Sequence, residues 1–384
     1  MKAMILAAGQ GTRVRPLTYE LPKPMIPILG KPVMAYLIEH LVKNGVHDIM
    51  INVSHLHEKI EEYFGDGHQY GAQIGYSFEG YVNDDGNVMP QPIGSAGGMK
   101  KIQNFGNFFD ETTIVLCGDA LTDLNLQEAY LQHKQKNALA TVITRDVPWN
   151  RVSDYGIVVT DATGRVRSFQ EKPSKEHALS NAASTGIYIF EPEVMDLIPS
   201  NKNFDIGSQL FPLLATLNVP FYAHTGSFNW LDIGTISDYW SVLQSVMLGE
   251  VAGMDMPGSE IIEGIRVGLN TNIDWHGITI EGPVYIGSGC QIEKNCTIIG
   301  PTWIGHGSHL CAGAKVVRSV LFNYTRVLPE TELHELLVFR NYCVDREGKM
   351  RELADNTSND WGNARDRRLK PRFGKSKDLG MLLS

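Results

Sequence analysis

Short apolar segments alternate with amphipathic ones from Met1 to Pro257. The apolar segments are rich in β-branched residues, as strands are: Ala3–Ala8, Ile49–Val53, Thr113–Leu116, Ala140–Ile143 and Gly186–Phe190. Two segments between them repeat apolar residues at helical spacing, Val33–Asn44 and Leu126–Lys136. Strands interleaved with helices predict a Rossmann-like α/β fold with a mostly parallel sheet and helices on both faces. Ligands of such sheets bind at the carboxyl ends of strands, so we expect Gly9, Asp119 and Asp232, which follow apolar or aromatic runs, along that edge.

A different periodicity begins after Gly258, where one large apolar residue recurs at every sixth position. These residues are Ile280, Ile286, Ile292, Ile298, Ile304, Leu310, Val316 and Phe322. Small or β-branched residues stand two positions before most of them, and these include Cys290 and Cys296. A six-residue repeat is typical of a β-helix whose aliphatic residues stack inside the coil. We therefore interpret the two cysteines as inward-facing core residues, and we expect two or three coils of about three hexads each.

The two periodicities divide the chain. Its 384 residues are enough for two or three domains. We expect a first domain over residues 1–257, a β-helix over 258–330 and a C-terminal segment over 331–384. The last part, Trp361–Ser384, carries seven Lys and Arg residues against two Asp and Glu residues. That composition predicts a flexible basic tail or a docking arm.

The composition of the chain limits the kinds of partner and the cellular location that we expect. A net charge of −9 argues against a nucleic-acid or acidic-membrane surface. No segment approaches the ~20 apolar residues of a membrane span. The five cysteines include no C-x-x-C pair, so neither a zinc site nor a disulfide framework is indicated. We expect a cytoplasmic enzyme with no nucleic-acid and no membrane partner.

The candidate chemistry begins directly after the first apolar run. Residues 6–18 read L-A-A-G-Q-G-T-R-V-R-P-L-T, and Lys23 follows between two prolines. Glycines allow the backbone N–H groups to approach a phosphate, and the cations supply the charge that a triphosphate requires. The dinucleotide motif is excluded because Val14 stands at its third glycine, and the P-loop is excluded because no Gly-Lys-Ser/Thr follows. The residues expected to bind the nucleotide here are Ala8, Gly9, Gly11, Thr12 and Arg13.

This block, together with Pro22-Lys23-Pro24-Met25, resembles the signature of the nucleoside-diphosphate-sugar pyrophosphorylases. The resemblance implies that the phosphate of a sugar 1-phosphate attacks the α-phosphorus of a nucleoside triphosphate and releases pyrophosphate. It also implies that Arg13 and Lys23 are catalytic, Arg13 on the β- and γ-phosphates and Lys23 on the α-phosphate. Arg15 occupies a position that varies in the family, so both a supporting role and a solvated side chain remain open.

Two aspartates match the metal-binding positions of the family. Asp119 ends the segment Val-Leu-Cys-Gly-Asp, and Asp232 lies in Trp-Leu-Asp-Ile-Gly-Thr. The cofactor implied is Mg²⁺, which prefers carboxylates and water and bridges phosphate oxygens. Asp123 is interpreted as structural.

The sugar-phosphate site is also inferred by resemblance. Glu171-Lys172-Pro173 matches the E-K-P motif, and Tyr155-Gly156 matches the start of the Y-G-V-V element. Two departures lie at the sugar end. Ser184-Thr185-Gly186 replaces the usual Asn-x-Gly, with Thr185 as the expected contact, and residues 205–209 replace a charged stretch before Leu-Phe-Pro.

The segment Gln91–Gly98 corresponds to the base-recognition loop, in which Gln91, Gly94 and Ser95 are the expected nucleotide contacts. An amide both donates and accepts, which suits uracil. An apparent insertion, Tyr81–Pro90, precedes the loop. Within the family the overall pattern is most similar to the cyanobacterial type, which uses UTP and glucose 1-phosphate. The alternative is guanylyl transfer to mannose 1-phosphate. The resemblance further implies that the β-helix is left-handed and that the enzyme is a homo-oligomer, a dimer or a tetramer.

Two other classes of function are alternatives to nucleotidyl transfer. A non-catalytic regulatory homologue that senses nucleotide sugars would typically have lost one of the catalytic or binding residues, yet all are present. An acyltransferase within the β-helix would use His306 or His309 as its base.

Overall fold

The structure is a computed structural model that describes residues 1–251, 254–352 and 361–365. These residues form two compact units, Met1–Val242 and the residues from Leu243 onward. The predicted domain boundaries at residues 257 and 330 stay predictions. Beyond residue 365 the predicted basic tail lies outside the described residues. Among the described residues, none of the helices has the length and apolarity that crossing a membrane requires.

The helices and strands of the first part of the chain follow the sequence pattern closely. The α-helices are α1 Val33–Lys43, α2 His57–Phe64, α3 Ser95–Gly106, α4 Leu126–Gln135, α5 Phe211–Thr216 and α6 Ile236–Met247. The strands are β1 Lys2–Leu6, β2 Pro27–Ile28, β3 Lys31–Pro32, β4 Asp48–Val53, β5 Gln73–Phe78, β6 Gly80–Val82, β7 Val88–Pro90, β8 Thr113–Cys117, β9 Ala120–Thr122, β10 Ala140–Asp146, β11 Gly156–Thr160, β12 Val166–Glu171, β13 Ala182–Phe190, β14 Phe221–Thr225 and β15 Trp230–Asp232. Short 3₁₀ helices lie at Thr12–Val14, Leu17–Tyr19, Lys23–Met25, His68–Tyr70, Trp149–Asp154 and Pro192–Leu197, and a π turn lies at Ile206–Leu210. The two predicted helices correspond to α1 and α4, each of which ends one residue earlier than predicted.

Nine of these strands form one sheet in the order β12-β11-β13-β8-β1-β4-β5, and β10 and β14 extend it from β13. The half that contains β1 is parallel, since β1 pairs in parallel with β4 and β8, and β4 with β5. The other half is built on β13, which is antiparallel to β8, β10 and β11. The α/β class is confirmed, but the sheet is mixed rather than mostly parallel. No α-helix lies between β10 and β13, and a parallel connection usually needs a helical crossover.

Strand β1 is buried on both faces, which explains its uninterrupted apolar sequence. Ala3 and Ile5 pack in a core with residues of α1, α2 and α4, whereas Met4 packs in a second core with residues of α3 and α5. Helices therefore cover both faces of the sheet, as predicted. This burial holds β1 in the centre and places the loop after Leu6 at the carboxyl edge.

The second part of the chain winds into a parallel coil. Its strands are β16 Ser259–Ile262, β17 Ile265–Val267, β18 Asn272–Ile273, β19 Thr279–Glu281, β20 Val284–Ile286, β21 Gln291–Ile292, β22 Thr297–Ile299, β23 Thr302–Ile304, β24 His309–Leu310, β25 Lys315–Val317, β26 Val320–Leu321, β27 Thr325–Val327, β28 Glu332–His334, β29 Leu336–Phe339, β30 Tyr342–Asp345, β31 Met350–Glu352 and β32 Trp361–Asn363. They stack in three parallel ladders, β17-β20-β23-β26-β29, β18-β21-β24-β27 and β19-β22-β25-β28. The predicted β-helix is therefore present. The longest ladder has five parallel strands, more than the two or three coils predicted.

The hexad register holds through one coil and then shifts by one residue. Ile286 pairs with Ile304, 18 positions later, but Ile304 pairs with Leu321, 17 positions later. The prediction that Phe322 is an inward repeat residue is therefore wrong. The coil that follows Ile304 is one residue shorter, so Leu321 takes the inward position. Phe322 instead packs with the rings of Trp303 and Phe339, at centroid distances of 5.5 and 4.9 Å.

The cysteines of the coil are core residues, as predicted. Cys290 and Cys296 are buried in the apolar interior. Their thiols donate to the carbonyls of Gly305 and Cys311, at 3.1 and 3.3 Å.

Antiparallel strands adjoin the parallel ladders at both ends. β16 runs antiparallel to β17 at the start of the longest ladder. β30 and β31 fold back on β29 at its end, and β32 pairs antiparallel with β27.

Candidate active site

The loop that follows β1 makes a close turn against Lys23. The Ala7 N–H donates to Asn52 Oδ1 at 2.8 Å, which ties the start of the loop to the end of β4. Gly11 has a φ of 62°, and a Cβ there would lie 2.9 Å from the Cβ of Lys23. Glycine is therefore needed at position 11 both for the backbone conformation and for the close approach. This contact joins the glycine loop to the distant lysine.

The loop and the lysine form one wall of a cleft. This wall is lined by residues of the loop and by three others: Gly9, Gly11, Thr12 and Arg13, with Lys23, Asp119 and Gly234. Ala8, directly before Gly9, is 8% exposed. The structure thus brings the predicted phosphate-binding residues to the carboxyl edge of the sheet.

The Lys23 side chain lies between two carboxylates. Its ammonium forms an ion pair with Asp119, which follows β8. Burial alone lowers the pKa of Lys23, but the charges of Asp119 and Asp232 outweigh it and raise that pKa above its usual value. The lysine is therefore held in its charged form, as a residue that binds phosphate must be.

Asp232 reaches the same place through a small antiparallel sheet. Strand β15 pairs with β9, and this register sets Asp232 opposite Ala120, the neighbour of Asp119. Burial and the charge of Asp119 raise the pKa of Asp232 to about 6. Asp119 and Asp232 together form a donor set that suits Mg²⁺, which binds through one or two carboxylates and retains water. Asp123 points elsewhere and accepts hydrogen bonds from the backbone and side-chain nitrogens of Asn229, so its interpretation as structural fits.

The two arginines of the loop differ in position. Arg13 is exposed and lines the cleft beside Lys23 and Asp232. Arg15 lies over the ring of Tyr19, with its guanidinium carbon 5.2 Å from the ring centroid. The geometry therefore favours the solvated alternative for Arg15.

The opposite wall carries the predicted sugar-phosphate residues. The cleft that contains Lys23 and the two aspartates is also lined by all five of them: Tyr155, Gly156, Glu171, Lys172 and Thr185. Lys172 is half exposed, and its ammonium lies 3.6 Å from Glu171 Oε1. Thr185 is buried, and its hydroxyl donates to the carbonyl of Ile143 at 3.0 Å, so that hydroxyl hydrogen is already committed.

The predicted base loop leads into α3, which begins at Ser95. Gln91 is exposed, and Gly94 has a φ of 82°. The apparent insertion before Gln91 is a hairpin, in which β6 pairs antiparallel with β7. Ser95 faces the sugar wall rather than a site near Gln91, and its hydroxyl donates to Asp205 at 2.8 Å.

Sequence reasoning missed one buried carboxylate that holds this loop. Glu79 is 1% exposed and accepts from Asn52 Nδ2 at 2.7 Å and from the Ile93 N–H at 3.0 Å. Since Asn52 also accepts from Ala7, Glu79 links the base loop to the phosphate loop. No local pattern around Glu79 signals this, because its side-chain partners, Asn52 and Ile93, come from two separate segments.

The comparisons with known proteins agree with this arrangement. The family model described as nucleotidyl transferase matches residues 2–247. The chain belongs to the nucleotidyl transferase family. The family prediction made from the glycine block is thus confirmed.

Relatives of this nucleotidyl transferase span nearly all of it. It is 53% identical to a UTP–glucose-1-phosphate uridylyltransferase of Synechocystis over 91% of this chain and 89% of the relative. It is 28% identical to a mannose-1-phosphate guanylyltransferase of Mycobacterium tuberculosis over 85% of this chain and 80% of the relative. A crystal structure of a UDP-glucose pyrophosphorylase complexed with UDP-glucose has a TM-score of 0.55 and is 21% identical to this chain. The match covers 65% of this chain and 98% of the other. That likeness supports the α/β fold of the first part of the chain.

The histidines considered for acyl transfer have structural partners in the coil of this nucleotidyl transferase. His306 Nδ1 accepts from the Ser288 N–H at 2.9 Å. His309 Nε2 lies 2.7 Å from Glu293 Oε1. Both contacts join successive coils, which favours a role in coil stability.

Proposed function

We propose that this nucleotidyl transferase transfers a uridylyl group from UTP to glucose 1-phosphate and yields UDP-glucose and pyrophosphate. The observation that carries the proposal is the position of Lys23, which packs on Gly11 of the glycine loop and pairs with Asp119 at the end of β8. One side chain thereby joins a phosphate-binding loop to a pair of carboxylates. The choice of UTP and glucose 1-phosphate rests on the 53% identity to the Synechocystis uridylyltransferase.

Both reactants are anions, so the protein must screen their repulsion and hold attacker and leaving group in line. In the proposed mechanism Arg13 binds the β- and γ-phosphates and Lys23 binds the α-phosphate. Negative charge grows on the leaving pyrophosphate in the transition state, where these cations act most strongly. No covalent intermediate is needed, since the phosphate of the sugar is itself the nucleophile.

Asp119 and Asp232 would hold Mg²⁺ at the junction of β8 and β15. When bound there, Mg²⁺ supplies charge that stabilises the phosphate oxygens and the leaving pyrophosphate. The carboxylates themselves keep Lys23 protonated and beside the phosphate loop. Asp232 must be ionised to serve, and its raised pKa places that ionisation near pH 6.

The opposite wall would hold glucose 1-phosphate. Lys172 would pair with its phosphate, Glu171 would accept from ring hydroxyls, and Tyr155, Gly156 and Thr185 would complete the wall. At the other end, Gln91 and Gly94 would contact the uracil base.

We further propose that the protein is cytoplasmic and assembles as a homo-oligomer, a dimer or a tetramer, through its coil. The five cysteines are all free thiols, which supports a reducing compartment.

The experiment is a grid of UTP, dTTP, GTP and ATP against the 1-phosphates of glucose, mannose, galactose and N-acetylglucosamine, read as pyrophosphate release with Mg²⁺. We expect UTP with glucose 1-phosphate to give the highest kcat/KM. A preference for GTP with mannose 1-phosphate would select the guanylyl alternative, which the Mycobacterium tuberculosis relative supports. Binding of UDP-glucose without any pyrophosphate release would select the non-catalytic sensor.

A further inference from the structure

One face of the coil carries a histidine and a cysteine that the mechanism above does not use. His309 and Leu310 form β24, and Cys311 follows directly. Side chains alternate along an extended chain, so the two residues on either side of Leu310, which packs in the core, lie together on the other face. The sequence His-x-Cys in a strand therefore places an imidazole and a thiol side by side.

A carboxylate from the preceding coil completes the group. Strands β21 and β24 pair in parallel, with Ile292 beside Leu310. One residue further on, this register sets Glu293 beside Cys311. Three side chains with the ligand atoms that transition metals prefer, an imidazole nitrogen, a sulfur and a carboxylate oxygen, thus meet where two coils stack.

The three side chains are close enough to share one ion. Their ligand atoms all lie within 4.8 Å of one another, and His309 Nε2 lies 2.7 Å from Glu293 Oε1. Atoms bound at about 2.0–2.3 Å to a tetrahedral Zn²⁺ lie about 3.3–3.7 Å apart. The Glu293 side chain is 36% exposed, so it has room for the small rotation that this spacing requires.

Backbone hydrogen bonds hold the group in place. Glu293 Oε2 accepts from the Ala312 N–H at 2.9 Å, which fixes the direction of Oε1. The Glu293 N–H donates to the Leu310 carbonyl at 3.0 Å. The Cys311 N–H donates to the Val327 carbonyl, also at 3.0 Å. The ligands therefore stand on the rigid ladder of the coil, as a preorganised metal site requires.

Cys311 differs in its surroundings from other cysteines of the coil. The apolar interior contains three of them: Cys290, Cys296 and Cys343. Cys311 is also buried, but Glu293 and Arg326 lie beside its thiol. Burial raises the pKa of this thiol above its usual value, and a hydrogen bond from Arg326 opposes the rise. Arg326 thereby favours the thiolate, which is the form that binds metals.

We propose that Glu293, His309 and Cys311 bind Zn²⁺ and that the ion links two successive coils. Zn²⁺ suits this mixture of ligands and leaves a fourth position for water, whereas Mg²⁺ and Ca²⁺ prefer oxygen ligands alone. On binding, the Cys311 thiol loses its proton to solvent, and Zn²⁺ replaces Arg326 as the partner of the thiolate. The two anionic ligands balance the charge of the ion. The spacing of the cysteines does not reveal this site, because its ligands come from two coils.

The test is a titration of the full-length protein with Zn²⁺ at pH 7.5, with a phosphine reductant and excess Mg²⁺ present. Mg²⁺ occupies sites made of oxygen ligands and does not compete for a thiolate. We expect one Zn²⁺ per chain that depends on the thiol, and Cys311→Ser should weaken its binding by more than about 100-fold, since even outer partners of a metal site contribute 10- to 100-fold. A wild type that binds Zn²⁺ no better than Cys311→Ser would overturn the proposal.

Co²⁺ in place of Zn²⁺ reports the ligands directly, because a thiolate–cobalt bond adds charge-transfer absorption in the near ultraviolet. The wild type should show this absorption, and Zn²⁺ should abolish it by displacement. Glu293→Gln and His309→Gln should each weaken Zn²⁺ binding about tenfold or more and keep the absorption. These two variants also keep the proposal open to refutation if Cys311→Ser does not fold. Unchanged Zn²⁺ binding in both would overturn the assigned ligands.

The matched control is His276→Gln. His276 Nδ1 lies 2.7 Å from Asp274 Oδ1, an acid–histidine pair of the same length in the same coil. In the described part of the chain, no third Cys, His, Asp or Glu ligand atom comes within 4.8 Å of both. The control should bind Zn²⁺ like the wild type.

Thermal unfolding tests the link between coils. At a free Zn²⁺ concentration of 100 times Kd, the wild type and His276→Gln should unfold about 5–10 °C higher than without Zn²⁺. Cys311→Ser should show no such shift. An equal shift in Cys311→Ser would contradict the link. No substrate takes part in these measurements, so their outcome is independent of the proposed function.

Discussion

Replacing Asp232 by Asn should stabilise the protein at alkaline pH while it removes metal-dependent activity. The pKa of Asp232 is raised from 3.8 to about 6 by burial and by Asp119. At about 1.36 kcal/mol per pKa unit, the ionised side chain destabilises the fold by at most about 3 kcal/mol. Solvent in the cleft screens part of this, which leaves ~1–3 kcal/mol. Because the pKa of Asp232 is higher in the folded protein than in the unfolded chain, protonation of this side chain favours the folded state. This contribution is complete below the pKa of the unfolded chain, and it is lost as the pH rises through about 6.

The assay is thermal unfolding in EDTA at pH 8 and at pH 4. For a unit of this size, 1 kcal/mol corresponds to about 2–4 °C in Tm. Asp232→Asn should therefore melt several degrees above the wild type at pH 8 and near it at pH 4, and Mg²⁺ should no longer stimulate turnover. The control is Asp123→Asn, which loses the contact with Asn229 and should show no gain at pH 8. A variant that melts below the wild type at pH 8, or that gains equally at both pH values, would refute the electrostatic reasoning.

Three further predictions concern the substrate contacts. Lys23→Ala and Arg13→Ala should each lower kcat about 10²–10³-fold in steady-state assays with little change in UTP binding, because the cations act mainly in the transition state; near-normal turnover would exclude these roles. Lys172→Ala should raise KM for glucose 1-phosphate more than KM for UTP, and equal effects on the two would contradict its assignment to the sugar phosphate. Gln91→Glu should lower kcat/KM with UTP about 10- to 100-fold, since a carboxylate opposite uracil O4 leaves two acceptors facing each other, while kcat/KM with GTP should fall less or rise; an unchanged ratio would show that Gln91 does not read the base.

Features that depend on local sequence were predictable. The apolar run before Gly9 predicted β1, and the glycine block predicted a phosphate loop near Lys23. The hexads predicted stacked coils because each repeat contacts its equivalent in the next coil. These signals are local or periodic, so they can be read without knowing the tertiary structure.

Features that depend on distant partners were not predictable. The antiparallel direction of β13 follows from the missing crossover helix rather than from its own residues. The inward position moved from Phe322 to Leu321 because one coil is a single residue shorter. The spacing of apolar residues along the sequence does not reveal such a change. The contact of Ser95 with Asp205 joins residues 110 positions apart, and Glu79 is held by partners from separate strands and loops.

The reversed strands at the ends of the coil limit how copies of this chain can associate. A parallel ladder that ends on an unpaired strand is a template for another copy, which could add in register and extend the coil into a filament. Here β16 covers the first strand of the longest ladder, and β30 with β31 covers its last. An incoming coil would therefore meet strands of the wrong direction at that ladder. Growth by end-to-end addition is disfavoured, and assemblies of finite size built through other surfaces are favoured instead.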